Sequence, residues 1–421
     1  MNLIDDLRWR GLLAQSTDET ALAESLKSPI TLYVGFDPTA PSLHVGNLVV
    51  LLVLRRFQLA GHNPLALVGG ATGLVGDPSG KNEERTLNSS DVVAEWVERI
   101  RKQVSAFLDF DNAKNPARVV NNLDWTQSMS AIEFLRDIGK HFSVNQMLAR
   151  DSVASRLEAG GISYTEFSYQ VLQSFDYLEL YKRYNCTLQL GGSDQWGNIV
   201  AGLDLIRRVE QGSAHALTVP LLTKADGTKF GKTAGGSVWL DPEMTSPYAF
   251  FQYWLNTDDK DVINFLKVFS FKSQEEIATL EINHNENPGL REAHRELARE
   301  LTSLVHSKDV ADRVESAAKA LFGQGDLTEL DLPTLASALS ELPRTTVSSG
   351  QEIPTWVDLI AATGVVDSKS AARRIVKEGG AYLNNEKISG EDFRPSKTDF
   401  LCGKYAVLRK GKRDLAAVEL I

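Results

Sequence analysis

Cysteine is scarce in this 421-residue chain: Cys186 and Cys402 are the only two, far apart and without metal-ligand spacing. That argues against a disulfide framework or a zinc site. Also missing is any apolar run near the roughly 20 residues a membrane helix needs. The N-terminal stretch MNLIDDLRWRGLL carries acids where a signal peptide would be basic. The expectation is a cytoplasmic protein with no membrane attachment. Positive charge is in deficit as well, with 45 Lys+Arg against 55 Asp+Glu for a net of −10. Nonspecific coating of nucleic acid relies on neutralising many phosphates, so that class is disfavoured. The deficit is uneven. Residues 351–421 carry 12 Lys+Arg against 10 Asp+Glu, or +2, which leaves 33 against 45, or −12, for the rest. A local nucleic-acid surface near the C-terminal end is therefore permitted.

The 43% hydrophobic and 24% charged composition is that of an ordinary globular protein. The length calls for two or three domains. From Ile30 to about Gln211, short apolar runs alternate with amphipathic stretches, the pattern of an α/β domain with a parallel sheet. TLYVGF, NPLALVGG, ARVVNN and TLQLGG read as strands, and Leu43 to Leu59 as the helix after the first of them. Beyond Pro247 the segments SQEEIATLEI and GLREAHRELARELTSLVHS have helical periodicity. The division expected is 1–246 as a Rossmann-like catalytic domain, 247–322 as a helical domain, 323–354 as an irregular linker and 355–421 as a small α+β RNA-binding domain.

Three stretches carry chemistry. In Tyr33 to Asn47 a strand runs into a Pro-rich turn, and His44 and Asn47, three apart, share a face on the first turn of a helix. Such a helix start favours phosphate, and Gly46 leaves room for a base or ribose to approach. In Lys224 to Thr233 an Asp226-Gly227 turn is followed by Lys229, Lys232 and Thr233, a loop suited to developing negative charge. Taken alone, the first also reads as a plain strand-turn-helix corner and the second as a charged surface hairpin. In the third, Tyr169, Gln173 and Asp176 fall on one helix face at i, i+4 and i+7. The interleaved Val171, Leu172 and Phe175 leave open which side is buried.

The first two stretches resemble the HIGH-like and KMSKS-like signatures of class I aminoacyl-tRNA synthetases, with HVGN and KFGKT in their places. Asn47 stands where the first signature has a second histidine, and Phe230-Gly231 replaces Met-Ser in the second. Over essentially its whole length the chain resembles the bacterial-type tyrosyl-tRNA synthetases. The resemblance implies activation of tyrosine with ATP to the adenylate and transfer of the tyrosyl group to tRNA(Tyr). It implies that Tyr33 and Asp176 meet the substrate phenol, Asp77, Tyr169 and Gln173 its ammonium, and Gln195 its reacting carboxyl. Asp37, Thr39, His44, Gly46, Asn47, Gly192, Asp194 and Lys232 would line the ATP site. His44, Asn47, Lys229, Lys232 and Thr233 would carry the catalysis, and Lys81 and Arg85 are candidates to reach pyrophosphate. Magnesium would arrive with ATP, with no tightly bound cofactor and no protein metal site, and the family acts as a homodimer.

Near the C-terminal end, Ser368 is a candidate N-cap for a helix through about Glu378, followed by a strand AYLNNEKI. Lys369, Arg373 and Lys377 recur every four residues with Arg374 alongside. A stripe like this is commonly a solvated face. Here SKSAARRIVKEGGAYLNNEKI resembles the helix-turn-strand RNA-binding module shared by a small-subunit ribosomal protein and pseudouridine synthases. Two rival readings are the sister synthetase specific for tryptophan and a catalytically silent RNA-binding protein on a synthetase scaffold.

Overall fold

The structure is a computed structural model that describes residues 2–79, 87–228, 230–233, 236–411 and 414–421. The chain divides into two compact units, Met1–Asp241 with Asp258–Ile282, and Pro242–Thr257 with Asn283–Ile421.

The first unit is built on a six-stranded sheet of β1 (Gln15–Ser16), β2 (Thr31–Phe36), β3 (Asn63–Val68), β4 (Arg118–Asn121), β5 (Cys186–Gly192) and β6 (His215–Val219). Their order is β1-β6-β5-β2-β3-β4. From β2 to β6 all pairings are parallel, and only β1 runs antiparallel, against β6. The chain moves outward from β2 through β3 and β4, then returns to lay β5 on the other side of β2. That reversal creates the crevice where open α/β sheets bind ligands. The four strands expected from aliphatic runs are present. β1 and β6 are two further ones, one only two residues long and the other the short, mixed segment HALTV.

Helix Val45–Leu59 follows β2, and its run of Val and Leu is buried on nearly every side, with Leu48, Leu51, Leu52, Val53 and Leu54 fully covered. Each such side chain contributes roughly 1.5–3 kcal/mol relative to exposure. Helix Tyr164–Tyr184 starts at Ser163, whose hydroxyl accepts the Glu166 N–H, and ends at Asn185 in the left-handed region at φ 48°. A short antiparallel pair, β7 (Lys232–Thr233) and β8 (Gly236–Ser237), completes the described strands of this unit.

The second unit contains helices Pro247–Leu255, Glu292–Val305, Lys308–Leu321 and Leu332–Ser340, in keeping with the helical periodicity. Its sheet has β9 (Arg344–Val347), β10 (Ala381–Leu383), β11 (Glu386–Lys387), β12 (Tyr405–Lys410) and β13 (Asp414–Leu420), in the order β11-β10-β12-β13-β9. Trp356, Ile360, Ala372 and Val376 from two helices pack with Leu408 and Val418 of the sheet in one core. Two expectations change here. The stretch 323–354 is not irregular throughout: Asp331 caps helix Leu332–Ser340, and β9 pairs parallel with β13. AYLNNEKI is not one strand but a hairpin, because Asn384 and Asn385 take φ of 47° and 70°. Successive left-handed residues turn the chain back on itself.

Candidate active site

The loops that leave the carboxyl ends of the parallel strands carry most of the polar residues singled out above. Asp37 follows β2, Asp77 lies beyond β3, and Gly192, Asp194 and Gln195 close β5 and the turn after it. Tyr33 sits within β2, while Tyr169, Gln173 and Asp176 come from helix Tyr164–Tyr184. That helix is covered on both sides: Val171 and Phe175 are buried, and so are Tyr169 and Asp176.

A buried carboxylate is costly unless hydrogen bonds surround it. Asp176 is 3% exposed and accepts from Asn122 Nδ2 at 2.9 Å and Trp125 Nε1 at 2.8 Å. Burial still pushes its carboxyl up to about 7. Tyr33 packs against Tyr177 in a tilted pair at 5.3 Å between ring centroids, and burial, then Asp176, raises its phenol above the ordinary range. Tyr33 Oη, Gln173 Oε1 and Gln189 Oε1 are buried with no hydrogen-bond partner among the described residues. Gln189 is the register partner of Tyr33 across β2 and β5. Orphaned buried polar atoms carry a penalty, so a cluster of them fits a place where a ligand brings the missing donors and acceptors.

A second cluster adjoins the first through the same helix. Asp37 accepts from Tyr169 Oη and from Thr72 Oγ1, each at 2.6 Å. Asp37, expected on the nucleotide side, is thus bonded to a residue expected in the amino-acid pocket. Asp77 accepts the Ser79 N–H at 2.9 Å and Gln195 Nε2 at 2.7 Å, while Asn198 Nδ2 reaches Gln195 Oε1 at 3.2 Å. Burial, then Asp37, raises the Tyr169 phenol, and burial, then Asp77, raises the Asp194 carboxyl.

The turn after β2 is where the sequence placed phosphate binding. His44 is the N-cap of helix Val45–Leu59: its Nδ1 accepts the Gly46 N–H at 3.0 Å, and Asn47 Oδ1 accepts the His44 N–H at 3.1 Å. His44 therefore precedes the helix, and together with Asn47 it closes the helix end. The glycine has a local cause. A Cβ at Gly46 would lie 2.8 Å from His44 Cε1, so the missing side chain accommodates the imidazole. Thr39 is exposed just after Asp37. The β7–β8 hairpin is brought to this turn by backbone bonds, Val45 N–H to Val238 O at 3.0 Å and Leu240 N–H to Leu43 O at 2.8 Å. Trp239 faces His44 at 6.0 Å between centroids. Phe230 anchors the loop against Phe265 and Phe269, at 5.0 and 5.3 Å. Lys229, Lys81 and Arg85 lie outside the described residues, and Lys232 and Thr233 are described by backbone alone.

In the second unit, Ser368 accepts the Ala371 N–H and caps helix Lys369–Lys377. Its cations are exposed, and each meets an acid: Lys369 with Asp358 at 2.7 Å, Arg373 and Lys377 with Glu391 at 3.6 and 3.1 Å, Arg374 with Glu378 at 3.8 Å. Exposed pairs are worth little, so an incoming phosphate can compete for such cations.

Sequence reasoning missed Asn122, Trp125, Thr72, Asn198 and Gln189. For Asn122 a signal existed, since it ends the strand-like ARVVNN at the edge where ligands bind; for the others no local pattern stood out.

A doubly wound parallel sheet, with a capped helix after its first parallel strand and a hairpin paired to that cap, is the catalytic architecture of a class I aminoacyl-tRNA synthetase. The family described as "tRNA synthetases class I (W and Y)" matches residues 25–323, and "Tyrosine--tRNA ligase SYY-like C-terminal domain" matches residues 334–418. The chain belongs to the class I tyrosyl-tRNA synthetase family. It is 61% identical to the Tyrosine--tRNA ligase of Streptomyces avermitilis, over 100% of this chain and 99% of that one. It is 58% identical to that of Corynebacterium glutamicum, over 100% of both. Among solved structures, a C-terminally truncated Aspergillus nidulans mitochondrial tyrosyl-tRNA synthetase is similar at TM-score 0.70 and 30% identity, covering 76% of this chain and 94% of that one.

Proposed function

We infer that this chain is a tyrosine–tRNA ligase. It activates L-tyrosine with ATP to tyrosyl-adenylate and then passes the tyrosyl group to the 3′-terminal adenosine of tRNA(Tyr), with AMP as the leaving group. In the first step a tyrosine carboxylate oxygen forms a bond to the α-phosphorus, the bond to the bridging oxygen breaks, and pyrophosphate leaves. No covalent enzyme intermediate is required, so the protein's part is positioning and charge stabilisation. The observation that carries the tyrosine reading is the pairing of buried Tyr33, whose Oη lacks a partner among the described residues, with the buried Asp176 carboxylate. A phenol hydroxyl both donates and accepts, and so matches the two.

In this reading Asp77, Tyr169 and Gln173 take the ammonium and Gln195 lies by the reacting carboxyl. Asp37, Thr39, His44, Gly46, Asn47, Gly192 and Asp194 line the ATP side, and Lys229, Lys232 and Thr233 with His44 and Asn47 stabilise the departing pyrophosphate. Magnesium belongs to the ATP substrate. Lys369, Arg373, Arg374 and Lys377 meet tRNA phosphates. Residues 1–246 serve catalysis, 247–322 form the helical part and 355–421 the RNA-binding part, whose sheet takes β9 from the 323–354 stretch between them. A homodimer in the cytoplasm is the working form. Supporting the dimer, Ile132, Leu135, Val144, Leu148, Leu157 and Tyr164 are all exposed within one stretch of chain, and apolar surface of this kind marks interaction sites.

The test is exchange between ATP and pyrophosphate with tyrosine, tryptophan or phenylalanine as the amino acid. Exchange should depend on tyrosine. Tryptophan-dependent exchange would transfer the assignment to the sister enzyme, and no exchange with any of the three would leave the silent RNA-binding reading.

A further inference from the structure

Asn122 carries an amide whose orientation is fixed from outside. Its Oδ1 accepts the Ala71 N–H at 2.7 Å, and a backbone N–H can only donate. The Nδ2 end therefore points the other way, and both of its hydrogens are used, one on Asp176 Oδ2 and one on Thr72 Oγ1, each at 2.9 Å. Thr72 has a single hydroxyl hydrogen. With Asn122 donating to its oxygen, that hydrogen goes to Asp37 Oδ1, 2.6 Å away. The other Asp37 oxygen takes the Tyr169 hydroxyl hydrogen at 2.6 Å. Tyr169 is left with only lone pairs to offer a ligand, which suits an ammonium and repels a second acceptor.

We propose that Thr72 is a positioning residue for amino-acid selection, a one-hydroxyl relay joining the Asp37–Tyr169 pair, which reads the ammonium, to the Asn122–Asp176 pair, which reads the phenol. The proposal rests on the tyrosine-pocket reading above and assigns Asp37 a part in amino-acid binding. A second observation bears on the same bond. A Cβ on Gly69 would lie 2.1 Å from Asp37 Oδ1 and 2.2 Å from Thr72 Oγ1, so the chain leaving β3 has a glycine where this hydrogen bond fills the space. The chemistry is a polarity argument: from Asn122 the hydrogen bonds run directly to buried Asp176 on one side and through Thr72 to half-buried Asp37 on the other, and breaking the middle leaves Asn122 with an unmatched donor at one end and Asp37 short of one at the other.

Thr72→Val keeps the shape of the side chain and removes the hydroxyl, whereas Thr72→Ser restores it. Both are measured by pyrophosphate exchange for kcat/KM with tyrosine and phenylalanine, and by inhibition with 3-(4-hydroxyphenyl)propionate, which lacks the ammonium. The KM for ATP and a thermal melt run alongside, and Thr72→Ala replaces the valine variant if that fails to fold. Thr72→Val should lower the tyrosine-to-phenylalanine ratio about tenfold and the preference for tyrosine over the deaminated analogue about tenfold. Its KM for ATP should stay within about twofold, and Thr72→Ser should stay within about twofold of the original on every readout. Tyr33→Phe separates the two levels. If it leaves the tyrosine-to-phenylalanine ratio unchanged, the pocket reading falls and the relay with it. If it lowers that ratio while Thr72→Val leaves both preferences intact, the relay alone is overturned. Equal losses in Thr72→Val and Thr72→Ser would also overturn it, because the hydroxyl would then be irrelevant.

Discussion

The proposed amino-acid pocket and the Lys369–Lys377 helix both collect charged residues, and they treat charge in opposite ways. Asp176 is buried, and Asn122 and Trp125 aim fixed N–H groups at it. The four cations of the helix are exposed, and their partners Asp358, Glu378 and Glu391 are surface acids that water and salt also solvate. Low local dielectric makes each pocket bond decisive and each missing one costly. At the surface, each pair is weak and replaceable, and binding strength comes from several cations acting together. Discrimination between substrates that differ by one hydroxyl requires the first kind of site, and holding a polyanion reversibly requires the second.

Substitutions should reflect that contrast in size. The largest effect is expected at the loop proposed to stabilise the departing pyrophosphate, where Lys232→Ala should slow tyrosyl-adenylate formation about a hundredfold or more, up to about a thousandfold, with tyrosine binding little changed. Single-turnover activation in the variant measures this, and normal kinetics would remove Lys232 from the chemistry. Next comes Asp176→Ala, which strands two buried donors, Asn122 Nδ2 and Trp125 Nε1. At about 1–3 kcal/mol for each unpaired group, the preference for tyrosine over phenylalanine should fall about a hundredfold in kcat/KM.

A smaller effect is expected from pH. The folded carboxyl of Asp176 sits at about 7, against an ordinary value of 3.8, with burial the main cause and Asp37 and Glu179 adding to it. In the proposed pocket it is ionised Asp176 that accepts from the phenol, so lowering the pH from 8 to 6 should reduce the tyrosine-to-phenylalanine ratio by up to about tenfold, with a midpoint near 7. For stability the sign is reversed. A proton held more tightly in the folded state stabilises it fully below about pH 4, and that contribution is lost as pH rises through about 7. Asp176→Asn should therefore flatten both profiles, and a midpoint unchanged by that substitution would place the titration elsewhere. The smallest effect belongs to the exposed helix: Lys377→Ala should weaken tRNA binding only a few-fold and reduce the salt slope by about one, with almost no change in melting. Titrations at several salt concentrations measure it, and a loss as large as that of a pocket variant would erase the contrast.

Sequence alone made β2, β3, β4 and β5 legible, since buried parallel strands read as continuous aliphatic runs. It also gave Tyr169, Gln173 and Asp176 a common face, because helical spacing is local. The residues that hold Asp176 in place were not legible: Asn122 lies 54 positions away and Trp125 lies 51 away, and no short-range pattern announces a hydrogen bond formed by folding. The 323–354 stretch read as a linker because its Pro, Ser and Gly content is that of a loop. What makes part of it a strand is the pairing of Arg344–Val347 with residues 417–420, near the end of the chain. AYLNNEKI shows the reverse failure: the Asn-Asn turn signal was local, yet the flanking strand-like residues outweighed it. On the basic helix the spacing was plain, while its acids come partly from other elements, Asp358 and Glu391.

The central claim is that one part of the chain selects and activates tyrosine while another holds the tRNA. Because β9 belongs to the C-terminal sheet, a cut that removes that sheet whole falls before Arg344, with a shortened protein ending at Glu341. Pyrophosphate exchange and tRNA charging would be measured side by side on the full chain and on this form, at low and high salt. Exchange should stay within about threefold, while charging falls at least about tenfold and the salt-sensitive affinity for tRNA is lost. Charging equal to that of the full chain would contradict the account.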